Sequence, residues 1–389
     1  MLYLDHAATT PVRREVLEAM WPYLTGTYGN ASSHHEAGRR ALAGLDAARA
    51  TVAEVLGCRP AEVVFTSGGT EADNLAVKGI ALGRRDRDPG RTHVVTSEIE
   101  HSAVLGSARD LARWDGFELT ELGVSSEGLA DPAELAGAVR ADTAVVSVMH
   151  ANNETGAVQA IAELAAVARA RQVPFHTDAV QAAGSLELDV HALDVAALSV
   201  AGHKIGAPKG TGALYLRRGT PLRPLLSGGG HERGRRSGTS DVAGAVGLAV
   251  ALRLAAEERP AKAARLCAVR DRLIAGILAA VPSAVLTGPD PRRHPAARLP
   301  GHASFCFPGV NGESVLVDLE ARGLLVSSGS ACAAGDAEPS HVLTAMGYPP
   351  EVATTAVRFT LGADLAPEQV DAVVAATRDV VERLSPAPG

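Results

Sequence analysis

Four short stretches of the chain put reactive side chains where they could do chemistry. Lys204 lies in Gly202-His203-Lys204-Ile205-Gly206, a glycine-rich turn. Lysines are more at home on solvated helix faces. Partial burial and a neighbouring cation would lower the pKa of such an amine and make it a nucleophile able to form a Schiff base. Taken alone, Lys204 or Lys209 reads equally as a surface charge. Thr66-Ser67-Gly68-Gly69-Thr70 follows an apolar run and opens a helical one. Its glycines let backbone approach an anion, the helix start offers unpaired N–H groups, and Thr70 adds a hydroxyl. Simple helix capping would look the same. His176-Thr177-Asp178-Ala179-Val180-Gln181 ends another apolar run. Its carboxylate could pair with a protonated ring nitrogen or merely cap the next helix. Ser327-Ser328-Gly329-Ser330-Ala331-Cys332-Ala333-Ala334-Gly335 is a loop of small residues. It would expose a thiol, unless cysteine merely stands in for serine in a turn.

Together these parts gain specificity. A phosphate cradle, a carboxylate and an amine at strand ends are what is needed to hold pyridoxal 5'-phosphate. The carboxylate keeps the pyridine nitrogen protonated, so the ring can accept carbanion electrons, and the amine takes the aldehyde. Glu100-His101 could bring an imidazole to the same ring, and Asn152-Asn153-Glu154-Thr155-Gly156 supplies amide donors. The other cysteines, Cys58, Cys267 and Cys306, have no comparable surroundings and form no C-x-x-C pair, which argues against a zinc knuckle. The histidines show no H-E-x-x-H spacing, and the glycines fit neither a Walker nor a G-x-G-x-x-G pattern.

The elements that must position these residues can be read from apolar periodicity. Short β-rich runs lie at 62–67, 92–97, 117–122, 144–150, 173–178, 195–201 and 212–216, and most are near-continuous apolar segments with the character of strands buried on both faces. Helical patterns lie between most of them, at 71–82, 102–113, 132–140 and 161–171. The alternation predicts an α/β architecture with a largely parallel sheet, whose strand ends gather ligands. After about residue 255 a charged helical run, 257–281, leads to strands at 303–307, 324–328 and 357–361, a smaller α+β unit. We therefore expect a large domain over 13–255 and a small C-terminal domain over 256–389, with residues 1–12 able to pack on either.

The bulk composition agrees with this organisation. The 389 residues are 46% hydrophobic and only 3% aromatic, so the core must rest on Ala, Val and Leu. A net charge of −7 gives no general reason to bind nucleic acid, although Arg84-Arg85 and the arginines of 233–236 are local basic clusters. No apolar run is long enough to span a bilayer, and the N-terminus shows no secretory pattern. The expected setting is cytoplasmic, where scattered cysteines stay reduced.

The chain resembles the cysteine desulfurases of the class V aminotransferase group, fold-type I pyridoxal-phosphate enzymes, in the branch serving iron–sulfur cluster assembly. The resemblance runs nearly end to end. It is carried by Tyr3-Leu-Asp-His-Ala-Ala-Thr-Thr-Pro11, Gly29-Asn-Ala-Ser-Ser33, Phe65-Thr-Ser-Gly-Gly-Thr-Glu-Ala-Asp-Asn74 and Ala151-Asn-Asn-Glu-Thr-Gly156. It continues through Gly202-His-Lys204, Arg236-Ser-Gly-Thr239, Ser328-Gly-Ser-Ala-Cys332 and Glu338-Pro-Ser-His-Val-Leu343. It implies a seven-stranded mixed sheet in the large domain and a homodimer with shared active sites. It further implies that Gly69, Thr70 and His203 bind the cofactor phosphate and that Thr239 reaches the phosphate of the neighbouring subunit. His101 would stack on the ring and shuttle protons, Asp178 pair with the ring nitrogen, and Gln181 meet the phenolic oxygen. Asn153 and Arg358 would hold the substrate carboxylate, a task suited to the guanidinium fork. Lys204 would carry the cofactor as a Schiff base, and Cys332 would take sulfur from L-cysteine as a persulfide. Alanine would be released, and the sulfur passed to an iron–sulfur scaffold or a tRNA-thiolation enzyme. Two positions depart from the family pattern: Ala201 stands where serine is common, with Ser199 a candidate to compensate, and His231 stands where glutamine is common.

Other activities fit parts of the pattern. A selenocysteine lyase shares cofactor and fold, and turnover on the two substrates separates them. An ordinary aminotransferase would have no use for the Cys332 loop. A non-catalytic sulfur carrier would not need Lys204, Asp178, His101 and Arg358 together, and would show no visible chromophore.

Overall fold

The computed structural model describes residues 1–329, 339–363 and 365–385. Its largest sheet has seven strands, in the order Val63–Thr66, Gly212–Leu216, Ala197–Ala201, Phe175–Asp178, Thr143–Ser147, His93–Ser97 and Glu118–Leu122. Only Gly212–Leu216 runs against its neighbours; the other six share one direction. This is the mostly parallel seven-stranded sheet expected.

The apolar runs explain why it forms. Successive side chains on a strand point to opposite faces. Here Val94, Val145, Ala197 and Leu214 feed one buried core, while their neighbours Val95, Val146, Leu198 and Tyr215 feed the other. Helices cover both faces. Gly69–Arg87 and Ser102–Trp114 pack on the first, burying among others Leu75, Ile80, Val104 and Leu111. Glu36–Leu56 and Ile161–Ala170 pack on the second.

Glu36–Leu56 and the preceding helix Arg14–Thr25 lie outside the alternating pattern. The apolar stripe of Glu36–Leu56 consists of Ala41, Leu45, Ala48, Val52 and Leu56, recurring at three- and four-residue steps. Two of these five residues are alanine, which periodicity weighs lightly. The His35 side chain caps it by accepting from the Gly38 N–H, and Gly57 ends it at φ 68°, a left-handed conformation open to glycine.

The helix expected at 257–281 instead runs from Val242 to Ala280, 39 residues. Its first fourteen residues are mostly buried and show no polar stripe, so helical periodicity is invisible there; the Asp241 carboxylate caps the start. The helix serves two cores. Val242 to Ala255 belong to the core under the large sheet, whereas Leu266, Val269, Leu273 and Ile277 belong to a second core with Phe305, Phe359 and Val373. This second core carries an antiparallel sheet of Val285–Leu286, His302–Cys306 and Ala356–Thr360. The run at 324–328 forms a strand only over Leu324–Leu325, plus a bridge from Ser327 to Arg358.

The N-terminal dozen residues touch both units. Leu2–Tyr3 pairs with Leu324–Leu325, and Asp5 bridges to Thr360. Farther along, the Thr10 N–H donates to the His203 carbonyl and the Arg13 N–H to that of Gly206. Residues 5–10 thus form a strap across the end of the large sheet. No described helix is long and apolar enough to cross a membrane.

Candidate active site

Six of the seven strands end at one edge of the sheet, and the segments that follow them bring the chemically active residues together. Gly69 opens the helix after Val63–Thr66. A Cβ on Gly69 would meet Val180 Cγ2 at 2.8 Å and the Ala201 methyl at 3.4 Å. The glycine turn is therefore wedged between the segment after Asp178 and the segment before Lys204. Its helix has Gly68 at the N-cap, so no capping side chain takes the leading N–H groups, which stay open to an anion. Gly212 is needed beside it: a Cβ there would stand 2.6 Å from the Gly68 carbonyl carbon.

Asp178 is 5% exposed at the end of its strand. One carboxylate oxygen accepts from the Val180 N–H at 2.9 Å; among the described residues the other has no bonded partner. Burial raises its pKa, opposed by the Val180 N–H and by the charges of His101 and Lys204. Asp73, one helical turn into the glycine-capped helix, is also buried, and burial together with the nearby Asp178 charge raises its pKa well above the usual carboxylate value, opposed by a Ser199 hydrogen bond. Burial pushes Glu100 up to about 8, although its Oε1 accepts from Ser97 Oγ at 2.5 Å and from the Met149 N–H at 2.8 Å. Of the three carboxyls, Asp178 is the one that lies within reach of the His101 and Lys204 charges, and so the one placed to meet an arriving cation.

Lys204 follows Ala197–Ala201 in a single turn of 3-10 helix. Its Nζ donates to the carbonyls of Ala7 and Ala8 in the strap, at 2.8 Å for Ala8. The Gln181 amide donates to the same Ala7 carbonyl at 3.0 Å. His203 Nδ1 is 3.2 Å from Thr9 Oγ1. Its pKa is pushed down to about 4 by burial, with the Lys204 and Lys209 charges adding, so it is neutral at pH 7. His101 caps the helix Ser102–Trp114 through Nδ1, which accepts from the Ala103 N–H at 3.1 Å. Nε2 is then the nitrogen that bears the proton of the neutral ring.

The turn after Thr143–Ser147 is built by Asn152, not Asn153. Asn152 Oδ1 accepts from the N–H groups of Glu154 and Thr155, and Nδ2 donates to Ile99 O at 2.9 Å. That leaves the Asn153 side chain uncommitted among the described residues, while its carbonyl accepts from Arg358 Nη1 at 2.8 Å and His302 Nε2 at 3.2 Å. Arg358, 3% exposed, also pairs with Asp5 at 2.7 Å. A cleft of about 500 Å³ opens on this region, bordered by Lys204, Gln181, Ala7, His302 and Thr360.

Lys204, Asp178, His101, Gln181, His203 and Gly69 thus gather at one sheet edge, with Thr70 next to Gly69 and exposed. Ser199 lies on the same strand face as Ala201 but deeper. Its hydroxyl is 2.9 Å from Nε2 of the buried His176, so it supports the sheet under the site. Thr239 is exposed and borders Thr66 and Ser67 in a smaller hollow with Glu232 and Arg236. His231 sits in a separate shallow groove with Asp46 and Arg49. Cys332 lies outside the described residues. Its flanks are anchored near the site: the Gly329 carbonyl is 3.4 Å from Arg358 Nη1, and Ser340 Oγ donates to Glu154 at 2.5 Å. Asp5 and the Ala7 and Ala8 carbonyls are the site groups that sequence reasoning missed. The Asp-His-Ala-Ala-Thr-Thr-Pro motif flagged the segment but gave it no role.

The aminotransferase class-V family matches residues 2–373. The chain is 47% identical to an IscS-like cysteine desulfurase of Mycobacterium tuberculosis, over 98% of this chain and 97% of that one. It is 45% identical to the cysteine desulfurase IscS of Methanosarcina thermophila, over 98% and 92%. Among solved structures, a NifS-like protein superposes with a TM-score of 0.89 at 34% identity, covering 98% of this chain and 100% of the other. SspA in complex with cysteine superposes with a TM-score of 0.80 at 36% identity, covering 93% and 99%. The chain belongs to the class-V aminotransferase family, in its cysteine desulfurase branch.

Proposed function

We propose that the protein is a pyridoxal-phosphate-dependent cysteine desulfurase that converts L-cysteine to L-alanine and keeps the sulfur as a persulfide on Cys332. The observation that carries this reading is the convergence of a buried carboxylate, a strand-end amine and an uncapped helix start at Asp178, Lys204 and Gly69.

The residues present fit the cofactor. The open N–H groups at Gly69 and Thr70 suit a phosphate, with neutral His203 as a further donor. Asp178 has one free oxygen and a pKa raised by burial, so a ring N–H⁺ would supply the charge partner it lacks. Gln181 retains a second amide hydrogen for the phenolic oxygen. Ala201 turns its methyl toward Gly69, so one hydroxyl common in the family is missing from the cradle, and Ser199 is engaged elsewhere.

When bound, pyridoxal phosphate supplies an electron sink that acidifies the substrate Cα–H and loosens its Cβ–S bond. Lys204 would hold the cofactor aldehyde, and its amine, when free, would move the substrate Cα proton. The carbonyls of Ala7 and Ala8 hold its amine at the site in the meantime. Arg358 and the Asn153 amide hold the substrate carboxylate. His101 would lie against the cofactor ring, with Nε2 available for proton transfer at the substrate sulfur. The Cys332 thiolate would attack that sulfur, a new S–S bond forming as the Cβ–S bond breaks, with the electron pair left on Cβ taking up a proton to give the alanine methyl. The sulfur then passes to an acceptor protein, an iron–sulfur scaffold or tRNA-thiolation enzyme. We place the domain division at 255/256 and the protein in the cytoplasm as a homodimer in which Thr239 serves the neighbouring subunit.

The test is mass spectrometry after incubation with L-cysteine. A mass gain of one sulfur on the Cys332 peptide is expected. Cys332→Ala should keep the visible chromophore and lose cysteine turnover. Retained turnover would remove Cys332 from the reaction.

A further inference from the structure

The Asp5–Arg358 pair is unusual for a residue assigned to an incoming carboxylate, because Arg358 already has one. The guanidinium has five N–H donors. Nη2 donates to Asp5 Oδ1 at 2.7 Å, and Nη1 donates to the carbonyl of Asn153 at 2.8 Å and to that of Gly329 at 3.4 Å. Nε is buried with no partner among the described residues. Three donors are thus fixed by protein groups, while Nε and one Nη2 hydrogen remain. A buried donor left unpaired costs free energy until something accepts from it.

Asp5 is itself firmly placed. Its backbone bridges to Thr360, two residues along the strand from Arg358. Tyr3 Oη lies 2.9 Å from the carbonyls of both Asp5 and Thr9, which stiffens the strap around it. The Asp5 side chain is 20% exposed, against 3% for Arg358. The carboxylate therefore stands between the solvent-facing strap and the buried cation.

Two roles are compatible with a carboxylate on this arginine. A competitor would occupy the donors that the substrate needs, and removing it would improve binding. A positioning residue would hold the guanidinium while leaving donors for the substrate. The surviving Nε and Nη2 hydrogens favour the second role. We propose that Asp5 is a positioning residue: it fixes the orientation of Arg358 so that the remaining donors receive the carboxylate of the amino-acid substrate. This rests on the reading of Arg358 as the substrate-carboxylate residue. The same strap gives its Ala7 and Ala8 carbonyls to Lys204, so one segment sets both ends of the substrate's path.

The experiment compares Asp5→Ala, Asp5→Asn and Arg358→Lys holoenzymes. It measures kcat and KM for L-cysteine and, separately, the dissociation constant of L-alanine from its shift of the visible band. Alanine has the carboxylate but no thiol. Asp5→Ala is expected to raise both KM and the alanine constant about tenfold, with kcat within about threefold, the loss of one oriented charge-assisted contact. Asp5→Asn keeps an acceptor oxygen and is expected to restore both constants to within about threefold of the parent. Lower constants in Asp5→Ala would make Asp5 a competitor and overturn the proposal; so would unchanged constants, or equal losses in Ala and Asn. If Arg358→Lys leaves both constants unchanged, the assignment of Arg358 itself fails and the proposal falls with it. If Arg358→Lys weakens binding but Asp5→Ala does not, only the role of Asp5 is lost. Should Asp5→Ala not fold, Asp5→Glu keeps the charge but displaces it by one methylene. It is expected to raise both constants, and unchanged values would overturn the proposal.

Discussion

Glu100 shows how a single buried side chain can set the pH response of the site. It is fully buried one residue before His101, and its pKa is raised from 4.5 to about 8 by burial, with the Asp178 charge adding and hydrogen bonds from Ser97 and Met149 opposing. A carboxyl whose folded pKa lies above its unfolded value contributes most below pH 4.5, and the contribution is lost as pH rises through about 8. The unfolded chain ionises over that window while the folded one holds its proton. Glu100→Gln keeps the acceptor for Ser97 and Met149 and removes the titration. Between pH 5 and pH 8 the cofactor-free parent should therefore lose about 2 to 4 kcal/mol more stability than the variant. Urea denaturation at the two pH values measures this, and parallel losses would refute the assignment. The sequence placed Glu100 beside His101 but could not show its burial, since a Glu in a Ser-Glu-Ile-Glu-His stretch reads as solvated. The places of Lys204, Asp178 and Gly69 were legible because each ends or closely follows a strong apolar run, and the strand directions then force those ends to one edge. Asp5 was not legible as a site residue. Its partner Arg358 is 353 positions away, and no local pattern encodes that contact.

At the scale of elements, the proposed phosphate cradle depends on contact between a strand and a turn. Gly212 starts the only strand that opposes the sheet direction, paired with Thr66. A methyl there would lie 2.6 to 2.8 Å from three backbone atoms of Gly68. Backbone cannot swing aside as a side chain can, so the turn must shift. Gly212→Ala should keep the fold but weaken cofactor retention about tenfold or more, as the N–H groups at Gly69 and Thr70 lose their common aim. Equilibrium titration of the cofactor-free variant with pyridoxal phosphate measures it, and parent-like affinity would show that the turn does not set the cradle. Strand positions were readable here for the same reason that Gly212 matters: the central strands are buried on both faces and are built mostly of small or apolar residues, whereas the edge strand Glu118–Leu122 buries only Leu122. Helices built on alanine were harder to read. Glu36–Leu56 and the first half of the helix Val242–Ala280 bury stripes that differ little in hydropathy from the rest of the helix surface.

For the whole molecule, the proposed homodimer raises the question of whether one copy of the chain completes the site of the other. Thr239 is exposed and faces a hollow beside Thr66 and Ser67. Its loop is held by Arg236 on Glu71 at 2.8 Å and, through the adjoining turn, by the buried pair of Arg49 and Glu232 at 2.6 Å. Glu232 and Arg233 take left-handed backbone angles, φ 50° and 58°, which non-glycine residues adopt only when their surroundings hold them. A rigid loop presenting an exposed hydroxyl is suited to reaching another copy. Mixed dimers of a Lys204→Ala chain and a Thr239→Ala chain decide the matter. If Thr239 serves the neighbour, one site of each mixed dimer carries both defects and the other carries none. Activity at limiting cofactor should then rise to about half that of the parent dimer, above either variant alone. If Thr239 serves its own chain, one site lacks the lysine and the other the threonine. No intact site exists in that case, and mixing restores nothing beyond the average of the two parents. Co-expression with two affinity tags isolates the mixed species, and an assay at limiting pyridoxal phosphate separates the outcomes, because a shared site recovers full cofactor affinity in half its copies and an unshared one in none.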